Sequence, residues 1–222
     1  MTSLANMLIN VSRDLRDTSN LTFSTTEVTD MINAAIAEIG RFAPARFQSD
    51  LTPVADALSY PVPSSATTVP EVELISVELW DYSLTPPHPR ALVNPISAEY
   101  TQYSQAGWRL WDGTLYLPNW VPVYLKGKES TYKIRVWGYA PYPAVGTGGS
   151  LTLSNEKEWA LRVYCRIQAM ERLLSSRELF SQWQIRSNNT DVTPAALMND
   201  LSLAQADWRR LSRSMTVLRE GQ

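Results

Sequence analysis

The chain has 222 residues, 44% of them hydrophobic and 19% charged, which is length enough for one elaborated domain or two small ones with a real core. Its 20 basic and 22 acidic residues leave a formal charge of −2, which excludes the basic footprint of a stable nucleic-acid binder. One cysteine forbids an internal disulfide, one histidine and one cysteine leave only carboxylates as metal ligands, and no apolar run reaches membrane-spanning length.

The opening "MTSLANMLINVSRDLRD" lacks the basic start and apolar run of a signal peptide, so a cytosolic origin is expected. In it Leu4, Met7, Leu8, Val11 and Leu15 recur at helical spacing, and Thr2 or Ser3 is placed to cap. A second helix follows, with Val28, Met31, Ile32, Ala35, Ile36, Ile39 and Phe42 on its apolar face. Ser24 with Glu27 forms a capping box, and Pro44 stops the helix.

From residue 47 to 150 the pattern changes to short segments punctuated by most of the 14 prolines. Strands are expected at "FQSDLTPV", "EVELISVELWDY", "WRLW", "TLYL" and "YKIRVWGY", and a short helix in "NPISAEYTQYSQAG". In "EVELISVELWDY", Val72 and Leu74 point one way and Ile75, Val77 and Leu79 the other. Either a bulge near Ser76 or a strand buried on both faces accounts for that phase change.

Helical spacing returns at Ser154, with Trp159, Val163, Ile167, Met170 and Leu174 on one stripe and Asn155–Glu158 as the capping pair. A last helix begins at Thr193 as cap and Pro194 at its first position. Its Leu197, Leu201, Ala204, Trp208, Leu211 and Met215 alternate steps of four and three, the seam of a helix lying along another helix. The expected fold is therefore α+β. Helix pairs in residues 1–46 and 151–222 form one bundle, with an antiparallel β-rich domain at 47–150 inserted between them.

Asp112-Gly113 between alternating hydrophobics is a strong hairpin signal. A two-residue turn there puts Trp108, Leu110, Leu115 and Leu117 on one wholly apolar side, which must be core. Arg109, Trp111, Thr114 and Tyr116 take the other side, with Arg109 placed to stack on an aromatic ring. That second face suits cross-strand packing or a protein interface; a sugar platform would need polar partners that do not surround these rings in sequence.

A set for catalysis is missing. His88 lies in the proline-rich "TPPHPR", and Cys165 lies mid-helix, where a thiol is a small packing group. Glu71, Glu73, Glu78 and Asp81 fit the polar face of an exposed strand better than a glycosidase pair, although Glu71 and Glu73 would share a face about 7 Å apart. "GTGG" has no phosphate-loop lysine. No enzyme activity, cofactor or metal is expected. Arg209, Arg210 and Arg213 cluster toward the end of the last helix, where they serve the helix dipole or meet an acidic partner surface.

This order of signals resembles the head–tail connector (adaptor) proteins of tailed bacteriophages. The resemblance lies in "LANMLINVSRDLRD", then "FSTTEVTDMINAAIAEIGRFAPARF" with Ile32, Asn33, Ala35, Glu38 and Ile39 in an "IN.A..EI" pattern. It continues through "WRLWDGTLYLPNW", "YKIRVWGYAPYP" and "LSNEKEWALRVYCRIQAMERLL", and covers roughly residues 3–180. It implies a ring, dodecameric by family analogy, located in the virion neck after assembly in the host cytoplasm. A portal protein would lie on one side and a stopper, nozzle or tail tube on the other, with double-stranded DNA passing through unbound. The C-terminal stretch from Arg209 to Gln222, including Arg219, is the candidate for portal docking. Arg109, Trp111, Tyr116 and Trp120 are candidates for further protein contact. Other neck or tail completion proteins share this general build, and a carbohydrate-binding module would use Trp111, Tyr116, Trp120 and Trp137.

Overall fold

The computed structural model describes residues 2–62, 73–95, 107–146, 148–151, 153–186, 188 and 190–220. In chain order the elements are β1 (Thr2–Ser3), α1 (Leu4–Asp14), α2 (Thr25–Phe42), β2 (Ala45–Leu51), β3 (Ser59–Pro61), β4 (Glu73–Asp81), β5 (His88–Val93) and β6 (Arg109–Trp111). There follow β7 (Thr114–Tyr116), α3 (Trp120–Leu125), β8 (Tyr132–Ala140), β9 (Ser150–Leu151), α4 (Asn155–Ser175), α5 (Arg177–Arg186) and α6 (Pro194–Glu220). The fold is α+β, with antiparallel strand pairing in every sheet. It divides into two compact units: residues 1–43 with 142–222, and residues 44–141.

The helical unit is built from both ends of the chain. Ser3 caps α1 by accepting from the Asn6 amide at 3.2 Å. Ser24 and Glu27 form the full capping box on α2. Between these helices the Asp17 carboxylate, itself buried, accepts three backbone amides, from Leu21 (3.0 Å), Thr22 (3.0 Å) and Phe23 (2.8 Å). One side chain thus satisfies the inner amides of a turn that has no regular structure to pair them. Met7, Val11, Met31, Ile32, Ile39, Leu161, Cys165, Leu173, Leu197 and Met215 meet in a single core.

Val163 and Ile167 of α4 meet Ala204 of α6, with Leu201, Trp208 and Leu211 packed beside them, so the expected seam forms. Asn33 has a role that its pattern did not disclose. Its amide oxygen accepts from the Val145 amide at 2.8 Å and its NH2 donates to the Val145 carbonyl at 3.4 Å, which clamps the returning chain to α2. Lys157 similarly donates to the Ala43 carbonyl (3.3 Å) and the Tyr142 hydroxyl (2.7 Å).

Three features of this unit depart from expectation. The long helix from 154 breaks at the extended Ser176 into α4 and α5. Ser154, not Asn155, occupies the N-cap position of α4, and it makes no side-chain cap bond. Trp159 is 49% exposed rather than part of the buried stripe, because the core side of α4 is taken by Ala160, Leu161 and Cys165. The unit also takes in residues 142–150, which the sequence assigned to the insertion. Val145 and Tyr142 pack on the helical core, and Ser150–Leu151 pair with Thr2–Ser3.

The β unit is a small sandwich. A four-stranded sheet in the order β2-β8-β4-β5 and a three-stranded sheet in the order β3-β7-β6 share one core. Leu51, Val77, Leu79, Ile134 and Val136 come from the first sheet and Trp108, Leu115 and Leu117 from the side of the second. Val121 and Leu125 of α3 add to it. β8 alternates buried and half-buried residues over its whole length, as a strand with one core face must. In β4 the register shifts between Leu74 and Ser76. The bulge turns Ile75 outward (47% exposed) and leaves Leu74 buried with Val77 and Leu79, so Ile75 does not share their side as expected.

Sequence periodicity also missed β3, β5 and α3, each of which contains a proline. β5 tolerates Pro89 because it is an edge strand, and α3 tolerates Pro122 because it falls in the first turn. The short helix expected at 94–107 falls largely on 96–106, outside the described residues.

Candidate assembly surfaces

The hairpin forms in the expected register, with Arg109 opposite Tyr116, Leu110 opposite Leu115, and Trp111 opposite Thr114. Asp112 and Gly113 both take positive φ, 46° and 67°, as a type I′ turn requires. The inner face carries the buried Trp108, Leu115 and Leu117. On the outer face the Arg109 guanidinium lies 5.0 Å from the centre of the half-buried Tyr116 ring. Trp111, next to the turn, is 71% exposed. Trp120 opens α3 at 38% exposure and meets Tyr124 edge to face at 6.4 Å.

Trp137 lies elsewhere. It is on β8, facing away from the shared core, so it occupies the outside of the opposite sheet from Trp111 and Tyr116. The four rings of the proposed carbohydrate platform therefore do not make one surface. On that opposite sheet Trp137 belongs to a cluster that the sequence did not reveal. Arg135 lies 3.7 Å from the Trp80 ring centre and bonds Asp50 through two nitrogens, at 2.7 and 3.0 Å. Tyr82 donates to Asp50 and accepts from Arg135. Glu78 accepts from the indoles of both Trp80 (2.6 Å) and Trp137 (3.2 Å).

The Arg135 guanidinium holds the Asp50 carboxyl below the usual carboxylate range. Each polar group here is spent on a neighbour, so the cluster closes the sheet face over itself. Lys133, Arg135 and Trp137 at period two were a readable stripe, but Asp50 and Tyr82 lie 85 and 53 positions away from Arg135.

His88 is the exposed first residue of β5, not part of a loop, and stands opposite Asp81 in register. Asp81 accepts from Ser83 (2.9 and 2.5 Å), Arg90 (3.2 Å) and Tyr132 (3.3 Å), and the Ser83 hydrogen bonds keep its carboxyl below the ordinary value. Glu71 and the side chain of Glu73 lie outside the described residues. Cys165 is fully buried in the helical core, and burial pushes its thiol far up, away from nucleophilic use. Among the described residues no group of three His, Cys, Asp or Glu side chains could hold a metal ion. No described helix is long and apolar enough to cross a membrane.

On α6, Arg209, Arg210 and Arg213 are all exposed. The helix runs on to Glu220, so these residues are not in its last turn, and service to the helix dipole does not explain them. Arg210 pairs with Asp207 at 3.3 Å. Arg219 lies on α6, but its side chain is outside the described residues.

The chain matches no protein-family model and no curated protein.

Proposed function

We propose that the chain is a structural virion protein of a tailed phage, a head–tail connector. In this reading it forms a ring beneath the portal, joins capsid to tail and surrounds the DNA channel without enzymatic activity. The observation that carries the reading is the architecture: one bundle made from both chain ends, interrupted between α2 and α4 by a β sandwich. The helix pair, the hairpin, the strand ending in an aromatic-proline turn and the long returning helix follow the order of the family that the sequence resembles. Asn33, the asparagine of the "IN.A..EI" pattern, clamps the chain where it re-enters the bundle, and that supports the reading.

The partners are further copies of the chain, twelve by family analogy, with the portal above and a stopper, nozzle or tail tube below. A formal charge of −2 suits a wall past which double-stranded DNA slides without being gripped. The chain would act in the virion neck after assembly in the host cytoplasm. Trp111 and the exposed α6 arginines are its candidate contacts.

Negative-stain electron microscopy of the purified chain, alone and mixed with the portal encoded beside it, tests this reading. Rings stacked coaxially on the portal are expected. Monomers that ignore the portal would overturn it, and binding to another tail component would move the assignment there. Glycan binding lost on Trp111→Ala would instead favour a carbohydrate-binding module.

A further inference from the structure

The chain returning from β8 to α4 lies against α2 and leaves an open pocket of about 130 Å³ in the helical unit. Its walls include Ile36, Tyr142, Pro143, Val145, Leu151 and Leu153. They are fixed from several directions. Lys157 holds the Tyr142 hydroxyl, and Asn33 clamps Val145. The Gly149 amide bonds the Gly146 carbonyl at 2.9 Å, and the Leu4 amide bonds the Gly149 carbonyl at 3.0 Å. A Cβ on Gly149 would stand 2.8 Å from the Val145 side chain, so the loop is packed to contact there. The pocket is therefore formed before any partner arrives, which lowers the cost of filling it.

Its size selects the kind of occupant. Small-molecule sites run to about 300–1,000 Å³, whereas a cavity of roughly 150 Å³ accepts one benzene ring. This pocket suits a single protruding aromatic side chain. Ser150 lines it at an exposed position, and its hydroxyl, which has no partner among the described residues, can accept from a ring N–H. A larger groove of about 340 Å³ lies between α4 and α6, with Trp159 and Leu203 along it. It is wide for one ring, and its aspartates are neutralised within the chain: Asp14, Asp200 and Asp207 pair with Arg162, Arg166 and Arg210.

The chain carries one side chain of the required kind. Among the exposed aromatics, Tyr82 bonds Asp50 and Arg135, Trp120 meets Tyr124, and Trp159 lies 5.6 Å from the Arg162 guanidinium. Trp111 is the most exposed of them at 71%, and it has no ring or cation partner among the described residues. It stands next to a tight turn, whose Gly113 carbonyl is held by the Val62 amide at 2.9 Å. A rigidly presented tryptophan is the commonest kind of interface anchor.

We propose that the pocket receives the Trp111 indole of a second copy of this chain. This rests on the reading of the chain as a self-assembling ring component and names the surfaces that join the copies. The knob lies in the β unit and the pocket in the helical unit. The two surfaces differ, so the contact is heterologous: every copy offers one knob and one pocket, and the contact propagates around an axis.

The test uses two variants of the full chain, a knob variant (Trp111→Ala) and a pocket variant (Gly146→Phe). Gly146 lines the pocket, its φ is not left-handed, and a Cβ there meets nothing within 4 Å, so a bulky side chain fits without strain. Ser150→Arg repeats the pocket test at a second exposed position. In sedimentation velocity each variant alone is expected to associate roughly tenfold or more weakly than the unmodified chain. An equimolar mixture of Trp111→Ala and Gly146→Phe is expected to stop at a dimer, because it holds one intact knob and one intact pocket. Weak association is read by oxidising a mixture of Thr114→Cys and Ser150→Cys chains. Thr114 stands opposite Trp111 in register and leaves the knob intact, and the native Cys165 is buried. The mixed disulfide is expected at least about tenfold faster than either homodimer, because docking raises the local thiol concentration.

Unchanged association of either variant, or no preference for the mixed disulfide, overturns the proposal. A disulfide that forms within single chains carrying both cysteines, at a rate independent of concentration, also overturns it by placing Trp111 in its own chain's pocket. Rings on the portal with any of those results would leave the neck reading standing and move the contact elsewhere. Knob-to-pocket pairing in a chain that ignores the portal would keep this inference and overturn the neck reading.

Discussion

Arg135 shows how the outward face of a sheet is made stable by its own side chains. Its side chain is only 11% exposed, held by the Asp50 carboxylate and laid over Trp80. Arg135→Ala is expected to cost about 2 kcal/mol through the lost stacking and an orphaned carboxylate, read as a lower denaturant midpoint. The pH dependence has a definite sign. Because Asp50 is held below its unfolded value, its contribution is complete above that value and lost as pH falls through the folded one. Asp50→Asn is therefore expected to be less stable than the unmodified chain at neutral pH, with the gap closing below about pH 4. A gap constant from pH 7 to pH 3 would remove Asp50 from the account. Trp108 and Trp111, three residues apart, should behave oppositely. Trp108→Ala empties a core site and is expected to cost about 3–5 kcal/mol. Trp111→Ala is expected within about 0.5 kcal/mol of the unmodified chain, so any assembly defect in it reports on contact rather than folding.

At the scale of elements, local chemistry decided most of what was legible. The Ser24 capping box, the Asp112-Gly113 turn and the α6 seam are each complete within a few residues, and each formed as its sequence implied. Ser24→Ala is expected to cost about 1 kcal/mol in thermal or chemical unfolding. The turn between α1 and α2 shows the contrary case. Asp17 looks like one more polar residue after a helix, yet it accepts three backbone amides, two of them buried. Asp17→Ala should cost more than Ser24→Ala, about 2–3 kcal/mol, because it leaves those amides unpaired. A smaller loss than that of Ser24→Ala would mean that water reaches them. β5 and α3 escaped notice because proline reads as a breaker until the edge position of the strand and the first turn of the helix are known.

At the scale of the molecule, the β unit begins and ends on paired strands, with Ala45 opposite Ala140, so its two ends lie side by side. Replacing residues 44–141 by a short glycine-serine linker is therefore expected to leave a helical unit with native-like circular dichroism and a cooperative melt. Residues 44–141 alone should also fold, since among the described residues they form a core cluster of their own. A molten or unfolded helical unit after excision would show that the insertion supports the bundle. The sequence by itself determined the helices at both chain ends, the longer strands, the faces of the hairpin, the seam of α6 and the α+β class, because each depends on spacing within one element. Only the tertiary structure decided which bulge side Ile75 takes, that Asn33 and Lys157 hold the returning chain, and that Arg135 covers its sheet. It alone brought Trp159 beside Leu203 to form a groove. Those outcomes join residues from 44 to 114 positions apart or turn on a one-residue slip in strand register, and no local periodicity records which distant partner will fill a face.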